Sequence, residues 1–192
     1  TAFAVFYTGA KIRPIDSCYS TCNIDPEGIE KHINTKTKAI VVVHLFGHPV
    51  DMDPIMSIAK KYKLLVIEDC AEAHGALYKN KNLGTIGDIG CYSFYANKIL
   101  STGEGGMVVT NNKFIAEKCR SLKSLNYGKV NRFNHSEIGF NYRMSNIIAA
   151  IGCAQIEDLN KIIEKKRYVA NRYNEALSKF DDLYLPTEQS YA

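Results

Sequence analysis

The sequence lacks any apolar run near the length of a membrane helix. Hydrophobic residues make up 46% of the 192 positions and charged residues 23%, which is typical of an ordinary globular protein. The longest apolar run, at 39–45, is far below the roughly 20 residues that a bilayer-spanning helix needs, and it predicts a buried strand. The N-terminus also lacks the basic and apolar regions of a signal peptide. We therefore expect a cytoplasmic protein with no membrane segment.

The chain also lacks a concentrated block of one charge. The net charge is +4, from 24 basic and 20 acidic residues. Basic clusters such as Lys60-Lys61 and Lys161–Arg167 are typical of solvated helix faces, and no segment resembles a nucleic-acid-binding module. We expect no nucleic-acid partner.

Metal-ligand spacing is absent as well. The six cysteines show no paired metal spacing and several lie in apolar runs, which predicts reduced, buried thiols. His44 and His48 are close in sequence, but a strand end and Pro49 keep them off a common helix face. No carboxylate completes a zinc-like ligand set beside them, so no metal is expected. The cysteines are Cys18, Cys22, Cys70, Cys91, Cys119 and Cys153.

Neither end of the chain resembles the edge of a domain. It opens on Thr1-Ala2-Phe3 without a methionine and ends shortly after the strand-like residues 183–185. We expect a piece of a longer polypeptide. In this interpretation 1–180 is a partial large domain, and 181–192 begins a smaller C-terminal domain.

Short apolar runs alternate with amphipathic helices, which predicts an α/β fold with a mixed, mostly parallel sheet flanked by helices. Helices are expected to start at Asp25-Pro26 and at Asp53-Pro54, because aspartate caps helices and proline suits their first position. A further helix is expected over 113–124, and the pattern at 145–180 predicts two helices or one bent helix. The first predicted strand is so apolar that both faces should be covered. The predicted strands are 38–45, 64–67, 91–95 and 107–110.

Polar residues lie at or just past the ends of two predicted strands. Ligands of open parallel sheets bind beyond the carboxyl ends of the strands. There, Lys98 could form a Schiff base, Asp69 could keep a pyridine nitrogen protonated, and Ser93 could donate to a phosphate. Structural roles are equally open at this point, since aspartate often caps a helix and a glycine-rich turn such as 103–106 often supplies only backbone freedom. These residues predict a cofactor site without naming the cofactor.

The most specific signal is a set of motifs in a fixed order. The motifs are VIEDCAEAHGA at 66–76 followed by Gly84 and Gly87-Asp88, SFYANK at 93–98, TGEGG at 102–106, and GFNYRM at 139–144 followed by AAIG at 149–152 and Gln155. In order and spacing they resemble the DegT/DnrJ/EryC family of sugar aminotransferases. The resemblance covers nearly the whole chain.

The resemblance implies the large domain of a fold type I transferase that uses pyridoxal 5'-phosphate, incomplete at both ends and normally homodimeric. Lys98 would carry the cofactor covalently, Asp69 would pair with its ring nitrogen, and Ser93 would bind its phosphate. Glu72 would lie near the ring hydroxyl, at a position where many members have glutamine. Asn141 would reach the phosphate of the partner subunit's cofactor, so that the active site is shared.

The resemblance also implies a reaction. An amino group would move from L-glutamate to a nucleotide-linked 4-keto-6-deoxy sugar, for surface polysaccharide. The motifs are most similar to the branch of the family that makes perosamine from GDP-4-keto-6-deoxymannose. By the same resemblance, Arg143 would lie near the shared site. His135, in the polar loop 126–141, is a further candidate for contact with the substrate.

Two other interpretations are considered. Some family members are dehydratases in which histidine replaces the lysine, and Lys98 argues against that chemistry. A non-catalytic, truncated fragment is the second, and the presence of Asp69, Ser93, Lys98 and Asn141 together argues against it.

Overall fold

The computed structural model describes residues 1–128 and 130–192. Its strands are β1 (Ala39–Val43), β2 (Leu65–Asp69), β3 (Leu77–Tyr78), β4 (Lys81–Asn82), β5 (Ile89–Ser93) and β6 (Gly106–Val109). Its helices are α1 (Ala2–Phe6), α2 (Met52–Tyr62), α3 (Lys113–Leu122), α4 (Asn146–Glu157) and α5 (Leu159–Leu177). In the described ranges, no helix combines the length and the apolar content needed to cross a bilayer.

The central sheet has the strand order β1-β2-β5-β6, and β3 and β4 form a separate hairpin. β1, β2 and β5 are parallel, whereas β6 is antiparallel to β5. Val43, Asp69 and Cys91 are neighbours across the three parallel strands, and Ser93 lies opposite Gly106. The carboxyl ends of three strands and the start of β6 therefore meet at one edge. The predicted mixed, mostly parallel α/β sheet is confirmed.

The core lies between one face of this sheet and α2. Buried side chains alternate along β1 and β2, with Ile40, Val42 and Val66 facing Met52 and Ile55. The residues between them in β1 are only half-buried. The second face of β1 is therefore covered only in part among the described residues, because α2 packs on the other face.

The predicted helices are largely confirmed, with changes at their ends. Asp25 caps a short 3-10 turn at Pro26–Gly28 rather than an α-helix, in a segment too short for a stable helix. The next helix, α2, begins one residue before Asp53, with Asp51 at the N-cap. The long pattern after Ser145 forms two helices that meet at Asp158, whose dihedral angles are φ −103° and ψ 9°.

The last residues pack back onto the first half of the chain. The ring of Tyr191 lies 5.4 Å from that of Tyr78 and 5.9 Å from that of His48. Arg167 on α5 forms an ion pair with Glu188. The assignment of 181–192 to a second domain stays a prediction.

Candidate active site

The strand-end residues meet at one edge of the sheet. Asp69 is the last residue of β2 and Ser93 the last of β5, and these strands are adjacent and parallel. Lys98 follows in a turn that its backbone N–H closes on the Tyr95 carbonyl at 3.0 Å. The Lys98 side chain is only 17% exposed. An amine, a carboxylate and a hydroxyl are therefore presented from one edge.

A second carboxylate lies beside the lysine. The Lys98 Nζ is 3.4 Å from Glu72 Oε1, in the turn after β2. The other oxygen of Glu72 accepts the Phe46 backbone N–H at 2.9 Å. Phe46 has φ +55°, a left-handed conformation that is uncommon for a non-glycine residue. The backbone N–H of Phe46, in the loop after β1, therefore orients the Glu72 carboxylate toward the Lys98 amine.

Hydrogen bonds fix both oxygens of Asp69. Oδ1 accepts the Ala71 N–H at 3.0 Å, and Oδ2 accepts the hydroxyl of Thr1. The Thr1 contact has no signal in the sequence, because the two residues are 68 positions apart. The carboxylate is held as a hydrogen-bond acceptor at the strand end.

The glycine-rich turn allows a close approach by the 139–144 motif. A Cβ on Gly105, which has φ +134°, would lie 2.9 Å from Met144 Cε and 3.1 Å from Thr102 Oγ1. Ser93 Oγ accepts the Tyr95 N–H at 3.3 Å, so its own hydrogen is free to point elsewhere. A residue other than glycine at position 105 would be strained by this φ, and the end of the Met144 side chain would have to move.

Helix α4 supports the loop that carries Lys98. Gln155 accepts the Ser101 N–H at 3.0 Å and donates to the Ser101 carbonyl. A Cβ on Gly152 would lie 3.1 Å from the Thr102 methyl group, so α4 approaches the turn closely at this position. These contacts explain why AAIG and Gln155 accompany the TGEGG turn.

The remaining predicted residues form a separate group. Asn141 pairs with Ser124 in an isolated β-bridge, and both Asn141 and Arg143 are exposed. His135 donates from Nδ1 to the Leu125 carbonyl at 2.8 Å and lines a cavity of about 680 Å³ in the loop 125–139. Within the part of the chain that the structure describes, no hydrogen bond or ion pair joins this group to Lys98. Their functional roles stay predictions.

Comparison with known proteins identifies the family. The family model described as the DegT/DnrJ/EryC1/StrS aminotransferase family matches residues 1–191. The chain belongs to this family.

Three named proteins illustrate the similarity. GDP-perosamine synthase of Escherichia coli O157:H7 is 47% identical over 91% of this chain and 48% of that protein. The putative pyridoxal phosphate-dependent aminotransferase EpsN of Bacillus subtilis is 41% identical over 94% of this chain and 48% of that protein. The aminotransferase structure from Psychrobacter cryohalolentis is 38% identical with a TM-score of 0.88, over 93% of this chain and 48% of that one. The chain spans about half the length of the relatives it matches.

The donor set of this DegT/DnrJ/EryC1/StrS chain fits pyridoxal phosphate. The cofactor presents an aldehyde, a ring nitrogen and a phosphate, and each needs a different partner. Lys98 offers an amine for the aldehyde, Asp69 an acceptor for a protonated ring nitrogen, and Ser93 a hydroxyl for the phosphate. These groups lie at the strand edge where ligands of parallel sheets bind.

Sequence reasoning missed a buried polar cluster next to Asp69. Donor atoms of His44, Glu68 and Cys70 lie within 4.8 Å of one another, an arrangement that could suggest a metal. However, His44 Nδ1 accepts the Val50 N–H at 3.0 Å, so Nε2 carries the hydrogen and donates to Glu68 at 3.1 Å. Burial raises the pKa of the Cys70 thiol, which stays protonated. Hydrogen bonds therefore account for the positions of the His44 and Glu68 side chains.

His74 is a second residue that the sequence did not single out. Its ring is buried between those of Tyr92 and Phe94, at 5.6 Å and 5.8 Å. Among the described residues, neither ring nitrogen has a hydrogen-bond partner. Burial lowers the pKa of His74 below its ordinary value and the positive charge of Lys98 acts in the same direction, whereas the nearby Ser93 backbone opposes the shift without reaching hydrogen-bond geometry. The imidazole is therefore held in the neutral form.

We expect His74 to make stability depend on pH. An unfolded histidine takes up a proton as pH falls through its ordinary pKa of 6.5, whereas the folded one does so only at lower pH. The free energy of unfolding should therefore fall as pH drops below 6.5 and level off once the folded form is protonated too. Urea unfolding of the full-length protein at a series of pH values measures this. The His74→Phe variant should lose the slope, and an unchanged slope would contradict the assignment.

Proposed function

We propose that the full-length protein is a pyridoxal-phosphate-dependent sugar aminotransferase of the cytoplasm. It would move an amino group from L-glutamate to a nucleotide-linked 4-keto-6-deoxy sugar, GDP-4-keto-6-deoxymannose, for surface polysaccharide. The observation that carries this proposal is the mostly buried Lys98 amine, which lies 3.4 Å from Glu72 and follows the sheet edge at which β2 ends with Asp69. The identity to GDP-perosamine synthase supports the choice of sugar.

We assign each residue a role from its position and from the family resemblance. When bound, the cofactor supplies an aldehyde that accepts the amino group and a ring that withdraws electrons. Lys98 would hold it covalently and, once displaced, carry a proton to and from the substrate carbon with its free Nζ. Glu72 orients that amine, Asp69 keeps the ring nitrogen protonated, and the Ser93 hydroxyl donates to the phosphate.

We also propose a homodimer with shared active sites. Asn141 is exposed and would donate to the phosphate of the partner subunit's cofactor, with Arg143 and His135 of the same segment near the substrate. Helix α4, which follows this segment, exposes the apolar side chains of Ile147 and Ile151. An exposed apolar helix face is typical of a surface that another segment or subunit covers.

A trapping experiment on the full-length protein tests the function. With pyridoxal phosphate we expect a visible absorbance band that L-glutamate bleaches, and borohydride before glutamate should attach the cofactor to the peptide that contains Lys98. The glutamate-treated protein should then convert GDP-4-keto-6-deoxymannose to an amino sugar. A product that has lost a hydroxyl without gaining nitrogen would favour a dehydratase. The absence of any band in a folded protein would favour a non-catalytic chain.

A further inference from the structure

The buried carboxylate of Glu68 connects three parts of the fold. It is fully buried in β2 and accepts backbone N–H groups from the turn 84–87, at 2.8 Å from Gly84, 2.8 Å from Ile86 and 2.6 Å from Gly87. Burial alone would raise the pKa of Glu68, but the hydrogen bond from His44 and these N–H groups outweigh it and the pKa is lowered. An ionised carboxylate with this many donors is a rigid point in the fold.

His44 carries that rigidity to the loop after β1. While its Nε2 donates to Glu68, its Nδ1 accepts the Val50 N–H, and its backbone N–H donates to the Asp69 carbonyl at 3.1 Å. Its carbonyl accepts the Gly47 N–H at 3.2 Å. The imidazole of His44, the first residue of the turn 44–50, therefore binds the backbone of Val50, the last residue of that turn.

The same turn holds Glu72. Phe46, two residues after His44, adopts the left-handed conformation and donates its N–H to Glu72 Oε2 at 2.9 Å. Gly47 lies against the same residue, because a Cβ there would be 3.1 Å from the Glu72 carbonyl. A non-glycine residue keeps φ +55° where its surroundings impose it. His44 anchors this turn together with the buried Asn23, which accepts the Leu45 N–H at 3.0 Å and donates to the His48 and Pro49 carbonyls at 2.9 Å and 3.1 Å.

We propose that His44 and Glu68 are positioning residues, which act through the Phe46 N–H and Glu72 to hold the Lys98 amine in its working direction. The proposal rests on the proposed function for its catalytic meaning. The series of hydrogen bonds runs from Glu68 to His44, through the turn to Phe46, and from Glu72 to Lys98. If His44 and Glu68 served only the stability of the fold, replacing them would leave the contact between Glu72 and Lys98 unchanged.

The reactivity of Lys98 in the cofactor-free, full-length protein separates the two roles. Trinitrobenzenesulfonate modifies free amines, and peptide mass spectrometry measures how fast Lys98 is labelled. Glu72→Ala should accelerate labelling about threefold, the size expected for loss of a partly exposed ion pair. Glu68→Gln should produce a similar acceleration, because a glutamine amide cannot accept all the donors around Glu68. The exposed Lys60 is the internal control, and its labelling should not change.

The double variant Glu68→Gln/Glu72→Ala tests whether Glu68 acts on Lys98 through Glu72. If Glu68 acts through Glu72, the double variant is labelled no faster than Glu72→Ala alone, since coupled sites are non-additive. Equal acceleration by Glu68→Gln in both backgrounds, or none in either, would overturn the proposal. His44→Asn, which can keep an acceptor for the Val50 N–H but loses the donor to Glu68, serves as a second variant if Glu68→Gln does not fold. Failure of the wild-type protein to bind pyridoxal phosphate would instead refute the proposed function, which these cofactor-free rates do not test.

Discussion

A mixture of Lys98→Ala and Asn141→Ala subunits should regain about a quarter of wild-type activity, although each variant alone is nearly inactive. Lys98→Ala removes both the nucleophile and the proton carrier, so its activity should fall at least about 10³-fold. If Asn141 serves the partner subunit's site, a mixed dimer contains one site with both defects and one with neither. Random assembly makes half of the dimers mixed, and half of their sites are intact.

The measurement is the turnover rate of co-expressed, full-length subunits in equal amounts. A mixture of Lys98→Ala with Lys60→Ala is the matched control, because Lys60 is an exposed residue of α2. This control should reach about half of wild-type activity, since half of all sites keep Lys98 whatever the pairing. If Asn141 completes the site of its own subunit, the Lys98→Ala and Asn141→Ala mixture stays inactive, and the shared site is wrong.

The sheet could be predicted because its signals are local. The runs KAIVVVHL and LLVI each place β-branched residues in a segment of strand length. β1 lies within the first, whereas β2 overlaps the second and continues two residues past the predicted end at 67. The rule that ligands bind beyond parallel strand ends then pointed to Asp69 and Ser93 without knowledge of any contact. Burial was predicted less well, because it depends on what covers each face. Of the cysteines expected to be buried, only Cys70 is, whereas Cys22 and Cys153 are exposed.

The contacts that shape the site could not be predicted, because they join distant residues. The Phe46 N–H meets Glu72 across 26 positions and His44 meets Glu68 across 24. Each depends on how the loop after β1 packs against residues 68–72. The family motif predicts that Glu72 lies near the site. It does not predict the Phe46 N–H, which orients the Glu72 carboxylate toward Lys98. The left-handed conformation of Phe46 has no signal in its residue type, since aromatic residues rarely adopt it.

Replacing Gly90 by alanine should destabilise the full-length protein by about 3 kcal/mol, near the upper end for overpacking a core. Gly90 lies in β5 opposite Glu68, and a Cβ there would lie 2.3 Å from the Gly84 carbonyl oxygen and 2.5 Å from its Cα. These are backbone atoms, which cannot rotate away as the end of a side chain can. Moving them would break the hydrogen bond at 2.8 Å from the Gly84 N–H to Glu68.

The control for this prediction is Gly103→Ala, at a position with φ +78° and no atom within 4 Å of the added Cβ. Left-handed strain alone should cost about 1 kcal/mol there. Urea unfolding of both variants and the wild type measures the difference. Equal losses would mean that the Gly84 turn can shift, and that Glu68 does not hold it. A much larger loss for Gly90→Ala means that the turn 84–87, Glu68 and the end of β2 form one rigid unit, and Asp69 is the next residue of that strand.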